Sequence, residues 1–299
     1  MSDPQHNLDF EALRTTILSW LESRISDDGL QWLTEKSNQI QKGSEDWEFF
    51  TSFSAVPRYT GKDSLNLTDE EQKQAESLRK GWKPASWTAD QLGRTLLVLS
   101  LAERRKEEFL DILDKTFISS DMGEAVALYQ SLPVLPHPEE LRGRAAEGIR
   151  SNITSAFNAV ALRNPYPADY MDEDAWNQVV LKALFVGSPL YQIQGIDERA
   201  NETLARMLLD YAHERRAAGR TVPPELWRPV GPFATGKVVD DLKLVLEQPD
   251  ELNRQAAILA LSASSSEEAR QLLQEYNHLK EETEQAGVTW DDIGRRAEG

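Results

Sequence analysis

The spacing of the apolar residues constrains the fold more than any other feature of this sequence. Residues 8–25 show it first, with Leu13, Ile17 and Leu21 falling on one side of a helix, and the pattern recurs along most of the chain. A period of about 3.6 residues is the period of an amphipathic α-helix. Alternating runs bounded by Asn-Gly or Asp-Gly would predict β-hairpins, and we find no convincing example. We therefore predict an all-α fold.

The connections between predicted helices are short, which favours antiparallel helix pairs. Residues 249–273, PDELNRQAAILALSASSSEEARQLL, resemble the helix pair of a HEAT repeat. No strict repeat period runs through the chain. The favoured arrangement is thus an irregular, HEAT-like α-solenoid, and a compact α-bundle is the alternative.

We expect one all-helical domain over residues 1–280, followed by a polar, partly disordered tail at residues 281–299. The domain would consist of N-terminal helices in 1–80, a central core in 88–235 and HEAT-like C-terminal helices in 236–280. Inside the core, residues 139–163 contain no proline and carry a long apolar repeat, which predicts a single long helix.

Charge and composition exclude several classes of function. The net charge of −17 argues against general nucleic-acid binding and against adsorption to an anionic membrane surface. The sequence has no cysteine, so disulfides and thiolate metal sites are excluded. The first ten residues lack the basic and apolar regions of a signal peptide, and the longest dense apolar run, at residues 96–99, is too short to cross a bilayer. We expect a cytoplasmic protein that is not an integral membrane protein.

Residues 164–228 are denser in patterned residues than any other stretch. The residue before a proline disfavours the α conformation, so the NPYP segment at 164–167 is expected to be extended. Two amphipathic helices are predicted after it, at 173–186 with Asp172 as the N-cap and at 201–218 with Asn201 as the N-cap.

Polar residues in this stretch are the candidates for binding a ligand or partner. Residues 197–228 carry six acids and six bases, so they are neutral within a strongly acidic chain. A solvated face is the alternative explanation for such a mixed-charge segment. The candidate binding residues are Tyr166, Asn177, Lys182, Arg199, Asn201, Arg206, Asp210, His213, Arg215 and Arg216.

Structural roles are the alternative for several of these candidates. Asn177 would tie down the NPYP turn, and Lys182 would pair with an acid, because a buried polar group needs a partner. Arg215 and Arg216 would satisfy carbonyl groups at the C-terminus of their helix. Their guanidinium groups could instead hold an anionic ligand or an acid of a partner.

Recognised catalytic patterns are missing from the sequence. Asp210 and His213 have a spacing found in helical metal sites, but those sites need a matching second motif, which is absent here. Neither the G-x-S-x-G elbow nor a glycine-rich phosphate loop occurs. We therefore predict no catalytic residue, no metal site and no cofactor.

Four blocks within this region resemble the EboA family. They are NPYPADYM, WNQVVLKALFVG, ERANETLARMLLDYAHERRAAGR and VPPELWR. The resemblance covers residues 140–235 strongly and the flanks weakly. It implies a protein of secondary-metabolite traffic, encoded in bacterial clusters with other Ebo proteins and linked to the export of precursors toward the periplasm. It brings with it neither an established catalytic activity nor a defined set of functional residues.

Two functions follow as hypotheses. The first is a non-enzymatic helical scaffold or carrier. Its partners would be other Ebo-cluster proteins, with a membrane prenyltransferase-like member among the candidates, and its ligand would be a small aromatic metabolite. The second is an enzyme acting on a metabolite precursor, with a site between the helices at 173–186 and 201–218. A closed pocket where Lys182, Asp210 and His213 converge would favour the enzyme.

Overall fold

The computed structural model describes residues 8–298, and within them the chain is helical with no β-strand. One isolated bridge joins Ser64 to Thr88. The all-α prediction is confirmed. The chain forms two compact units, one ending at Met171 and the other beginning at Asp172. The solenoid arrangement and the single domain stay predictions, and residues 1–7 and 299, which fall in the expected domain and tail, lie outside the described part.

A buried central helix, α5, organises the first unit. The helices of this unit are α1 (Phe10–Glu22), α2 (Asp27–Gln41), α3 (Asp46–Thr60), α4 (Asp69–Leu78), α5 (Ala89–Leu99), α6 (Lys106–Ser119), α7 (Met122–Ser131), α8 (Arg142–Arg150), α9 (Thr154–Ala161) and α10 (Tyr166–Tyr170). Helix α5 packs against α1, α2, α3 and α7, and nearly all of its residues are buried. It starts with a capping box between Thr88 and Gln91, which satisfies backbone N–H groups at its N-terminus.

The single long helix predicted over residues 139–163 is wrong. The structure has two helices there, α8 and α9, which pack against each other. The chain leaves the helix at Ser151, whose hydroxyl accepts a hydrogen bond of 3.1 Å from the backbone N–H of Ile153. Serine side chains compete with helical hydrogen bonds in this way, so a local turn replaces the helix despite the continuous apolar repeat.

The extended conformation predicted for NPYP is also wrong. Helix α10 begins at Tyr166 and contains Pro167 in its first turn, where the missing N–H of proline costs no helical hydrogen bond. The amide of Asn164 fixes the start of this helix, because its oxygen accepts from the Tyr166 N–H at 3.0 Å. Its nitrogen donates to the carbonyls of Tyr129 at 3.1 Å and Ala159 at 2.9 Å.

Helix α15 is the centre of the second unit. The helices of this unit are α11 (Glu173–Val186), α12 (Glu202–Ala217), α13 (Trp227–Val230), α14 (Lys237–Leu246), α15 (Glu251–Ser262), α16 (Glu267–Glu275), α17 (Asn277–Gln285) and α18 (Trp290–Ala297). Helix α15 packs against α13, α14, α16, α17 and α18. Its Ala256, Ala257 and Ala260 are fully buried, and such small side chains allow neighbouring backbones to come close.

Helical structure continues after residue 280, in the last residues of α17 and in α18. Helix α18 begins with a capping box between Thr289 and Asp292, and it buries Ile293. One buried isoleucine in an otherwise polar segment is too weak an apolar pattern to predict a docked helix. No described helix combines the length and the apolar character that crossing a membrane requires.

Candidate functional site

The two helices predicted in the 164–228 stretch are confirmed as α11 and α12. The Asp172 carboxylate accepts from the N–H of Ala175 at 2.8 Å, and the Asn201 side chain accepts from the N–H of Leu204 at 2.8 Å. Both N-caps are therefore those expected from the sequence. Gly187 ends α11 with φ of 74°, a left-handed conformation that glycine adopts without strain.

An amide pair joins α11 to the N-terminus of α12. Asn177 is 1% exposed, and its oxygen accepts a hydrogen bond of 2.9 Å from the Asn201 side chain. The reverse bond, from the Asn177 nitrogen to the Asn201 oxygen, is 3.4 Å long. The structural alternative placed Asn177 against the NPYP turn, whereas its described partner is the side chain of Asn201, the N-cap of α12.

Arg199 belongs to the same assembly. Its carbonyl accepts from the Trp176 indole N–H and from the Asn201 amide, each at 3.1 Å. Its guanidinium carbon lies 5.0 Å from the centre of the Trp176 ring, within the range of a cation–π contact. Three candidate residues, Asn177, Arg199 and Asn201, therefore come together to fix the start of α12.

A second cluster lies at the other end of α12, around Asp241 of α14. The Asp241 carboxylate is buried, and one of its oxygens lies 2.7 Å from Nε2 of His213. Its other oxygen accepts a hydrogen bond from Arg216. The Arg216 guanidinium carbon also lies 5.5 Å from the centre of the buried Trp227 ring. We call Asp241, His213, Arg216 and Trp227 the Asp241 cluster.

A small cavity of about 240 Å³ opens beside the Asp241 cluster. Arg216, Arg220 and Trp227 line it together with smaller and uncharged groups from α14, α15 and the chain after α12. None of its described lining residues is an acid. The Trp227 indole N–H is buried without a hydrogen-bond partner among the described residues. The cavity is cationic, and its setting suits an anionic group.

The other candidates lie apart from this cavity. Arg215 donates to the carbonyl of Thr221 and, at 3.2 Å, to the Tyr211 hydroxyl, so it takes the structural role at the end of its helix. Arg206 and Asp210 are exposed, and no ion pair between them is found in the part of the chain described.

Lys182 and Tyr166 occupy more buried settings. Lys182 is half-buried, and burial lowers the pKa of its ammonium group. Tyr166 belongs to the first unit, where it is completely buried and its hydroxyl donates to the carbonyl of Pro138. Burial raises the pKa of this hydroxyl. Tyr166 therefore serves the core of one unit, whereas the remaining nine candidates belong to the other unit.

Sequence reasoning missed Asp241, Trp227 and Arg220. A signal for Asp241 was present, because it falls within the apolar stripe of α14, three residues after Val238 and four before Val245. An acid inside an apolar stripe must be paired or strongly perturbed. Arg220 follows the helix and carries no comparable signal, since a loop arginine is normally solvated.

Comparison with known proteins gives one match. The family model described as metabolite traffic protein EboA matches residues 13–231, a span that includes α12, Arg220 and Trp227 but ends before α14. No curated protein and no solved structure matches the chain. Because the family model covers well over half of the sequence, the chain belongs to the EboA family of metabolite traffic proteins.

Proposed function

We propose that this EboA protein is a non-enzymatic carrier that holds a small acidic metabolite, or its precursor, at the cavity beside the Asp241 cluster. The carrier works on the cytoplasmic side and passes its ligand on for export toward the periplasm. The family description supplies the general role in metabolite traffic. The ligand class comes from the chemistry of the cavity.

The cationic lining of the cavity is the observation that carries the proposal. Arg216 and Arg220 both line it, and none of the described lining residues is an acid, in a chain whose net charge is −17. The Arg216 guanidinium also donates to the Asp241 carboxylate. The Arg220 side chain has no ion pair within the described residues, so its charge stays available for a carboxylate or phosphate.

Handover requires partners, and we propose other Ebo-cluster proteins for this role, including a membrane prenyltransferase-like member. The exposed side of α12, with Arg206 and Asp210, is the surface we assign to them. A pull-down from the native host, followed by mass spectrometry of proteins and small molecules, tests both the partners and the ligand. Recovery of neither an Ebo protein nor an acidic metabolite would contradict the carrier proposal.

The decisive experiment replaces Arg220 in a deletion strain complemented with the mutant gene. Arg220→Ala should reduce export of the metabolite, because it removes a cation from the cavity that the fold does not use. Thermal unfolding should stay unchanged, since exposed and unpaired charges contribute little to stability. Arg150→Ala is the matched control, because Arg150 is also an exposed arginine but lies outside both the cavity and the surface assigned to the partners. Full export by the Arg220 variant would overturn the proposal.

An enzyme acting on a metabolite precursor is the second candidate, and the pairing of His213 with Asp241 favours it. A buried carboxylate bound to an exposed imidazole can orient the ring for general-base catalysis. His213 pairs with α14, so such a site would differ from the one first expected between α11 and α12. The pairing of the same carboxylate with Arg216 makes a structural role the better explanation. The enzyme hypothesis would gain support if the purified protein converted a small molecule in an extract of the host and the His213→Gln variant did not.

A further inference from the structure

A second cavity, of about 500 Å³, lies entirely within the first unit. It opens between α4, the 3₁₀ turn Pro84–Ser86 and the residue that precedes the NPYP segment, Arg163. Its volume falls in the range of about 300–1,000 Å³ typical of small-molecule sites. This cavity shares no described lining residue with the Asp241 cluster, so a ligand bound here would be independent of the proposed function.

One tryptophan beside this cavity has an unsatisfied indole N–H within the described part of the chain. Trp82, which lines it, is 1% exposed, and its N–H has no hydrogen-bond partner among the described residues. The neighbouring Trp20, whose ring centre lies 5.6 Å away, donates its own N–H to Gln74 at 3.1 Å. Buried N–H groups are nearly always paired, so Trp82 is unusual among the described residues that line this cavity.

Two cations line the same cavity. Lys83 and Arg163 are exposed there, and neither forms an ion pair with the described residues. Arg163 is held in a left-handed conformation with φ of 52°, which is uncommon and strained for any residue except glycine. The Asn164 amide, with its three backbone hydrogen bonds, fixes the chain directly after it. The backbone that presents Arg163 is therefore rigid.

The rest of the lining limits the ligand. Pro84 and Ala85 supply apolar surface, which suits the hydrocarbon body of a ligand. Glu76 is the single acid among the described lining residues, and its carboxylate already accepts from the backbone N–H of Gly81 at 2.8 Å. A monoanion would be attracted by the two cations and repelled by this one carboxylate. The described lining thus carries a net charge of +1, which the single charge of a monoanion neutralises.

We propose that this cavity binds a small organic monocarboxylate with an apolar ring. The ring lies against Pro84 and Ala85, and the carboxylate is bound by Lys83 and Arg163. Binding beside Trp82 changes the surroundings of its indole N–H, which therefore reports on the ligand. Hydrogen bonds between charged groups of this kind are stronger than neutral ones, so loss of either cation should weaken binding by about tenfold.

The side-chain N–H signals of the eight tryptophans in a two-dimensional ¹H–¹⁵N spectrum of the full chain provide the test. The Trp82 signal is assigned by its absence in Trp82→Phe. Indole-3-acetate serves as the carboxylate probe, indole-3-ethanol as its neutral counterpart and indoxyl phosphate as the dianion. Indole-3-acetate should move the Trp82 signal with a Kd of about 1 mM or tighter, and indole-3-ethanol should bind about tenfold more weakly or worse.

Variants test whether Lys83 and Arg163 bind the probe that moves the Trp82 signal. Arg163→Ala and Lys83→Ala should each weaken binding of indole-3-acetate, whereas Arg150→Ala, an exposed arginine in the same unit and outside the cavity, should not. An unmoved Trp82 signal at about 10 mM probe would overturn the proposal, since the affinity would then be far below that of a built site. Equal binding of the neutral probe, tighter binding of the phosphate, or unchanged binding by both cation variants would also overturn it.

Discussion

The amide pair between α11 and α12 allows a quantitative test of how the second unit holds its shape. Asn177→Ala removes a completely buried amide together with both hydrogen bonds to Asn201. Asn201 keeps its cap bond to the Leu204 N–H and its bond to the Arg199 carbonyl, and it is partly exposed, so water can reach it. The loss of hydrogen bonding and packing is therefore concentrated at the α11 side of the amide pair.

The expected cost follows from the two bonds. A net contribution of about 0.5–1.5 kcal/mol per hydrogen bond applies fully to the bond of 2.9 Å and only partly to the longer bond of 3.4 Å. The small void left in a dry environment adds to this loss. We expect Asn177→Ala to lower the free energy of unfolding by about 1–3 kcal/mol.

Asn201→Ala should cost more than Asn177→Ala. It removes the N-cap of α12, worth about 1 kcal/mol, and leaves the buried Asn177 amide with none of its described partners. In the double variant that unpaired amide is gone. The double variant should then lose less stability than the sum of the single losses, by about 1 kcal/mol or more.

Chemical denaturation of the four proteins, followed by circular dichroism, measures these differences. Gln178→Ala is the matched control, because Gln178 is the exposed neighbour of Asn177 on the same helix. It should change stability by no more than about 0.5 kcal/mol. The reasoning fails if Asn177→Ala behaves like this control, or if the two single losses add without coupling.

Three further predictions concern Arg216, Glu225 and Gly231 of the second unit. Arg216→Ala should destabilise by about 1–3 kcal/mol in denaturant titrations, because it removes the cation that pairs with the buried Asp241 carboxylate, whereas Arg206→Ala should be neutral. Burial raises the pKa of Glu225, so its stabilising contribution is complete below the unfolded pKa, near 4.5, and is lost as pH rises through the folded pKa. The wild-type protein should accordingly lose stability relative to Glu225→Gln from pH 4 upward, and a flat difference would refute this. Gly231→Ala should cost about 1–3 kcal/mol, since its new methyl carbon would lie 2.6 Å from a backbone oxygen of α15, whereas Gly143→Ala, with open space around it, should be neutral or stabilising.

Features that depend on neighbours in sequence could be predicted. The all-α class, α11, α12 and both of their N-caps follow from apolar spacing and from Asp172 and Asn201, whose hydrogen bonds reach only three residues along the chain. The break at Ser151 is also local, yet a continuous apolar repeat hid it. Local competition between a hydroxyl and the backbone decided the outcome there.

Features that depend on distant residues could not be predicted. The sequence of α12 gives no indication that Arg216 meets a buried acid 25 residues further along the chain. The unpaired Trp82 and Trp227 N–H groups likewise emerge only from the folded arrangement. Tertiary packing determines these partners, and the pattern of a single sequence does not reveal which distant residues pack together.

The position of Asp241 has a practical consequence for anyone who prepares fragments of this protein. The family match ends at residue 231, ten residues before the acid that binds both His213 and Arg216, and it leaves out α15, on which the second unit is built. A gene trimmed to the matched span would encode α13 without α15, against which it packs, and Arg216 without its counter-charge on Asp241. Such a fragment should aggregate on expression, and inactivity in it would say nothing about the intact protein. The family match and the second compact unit therefore end at different residues of this chain.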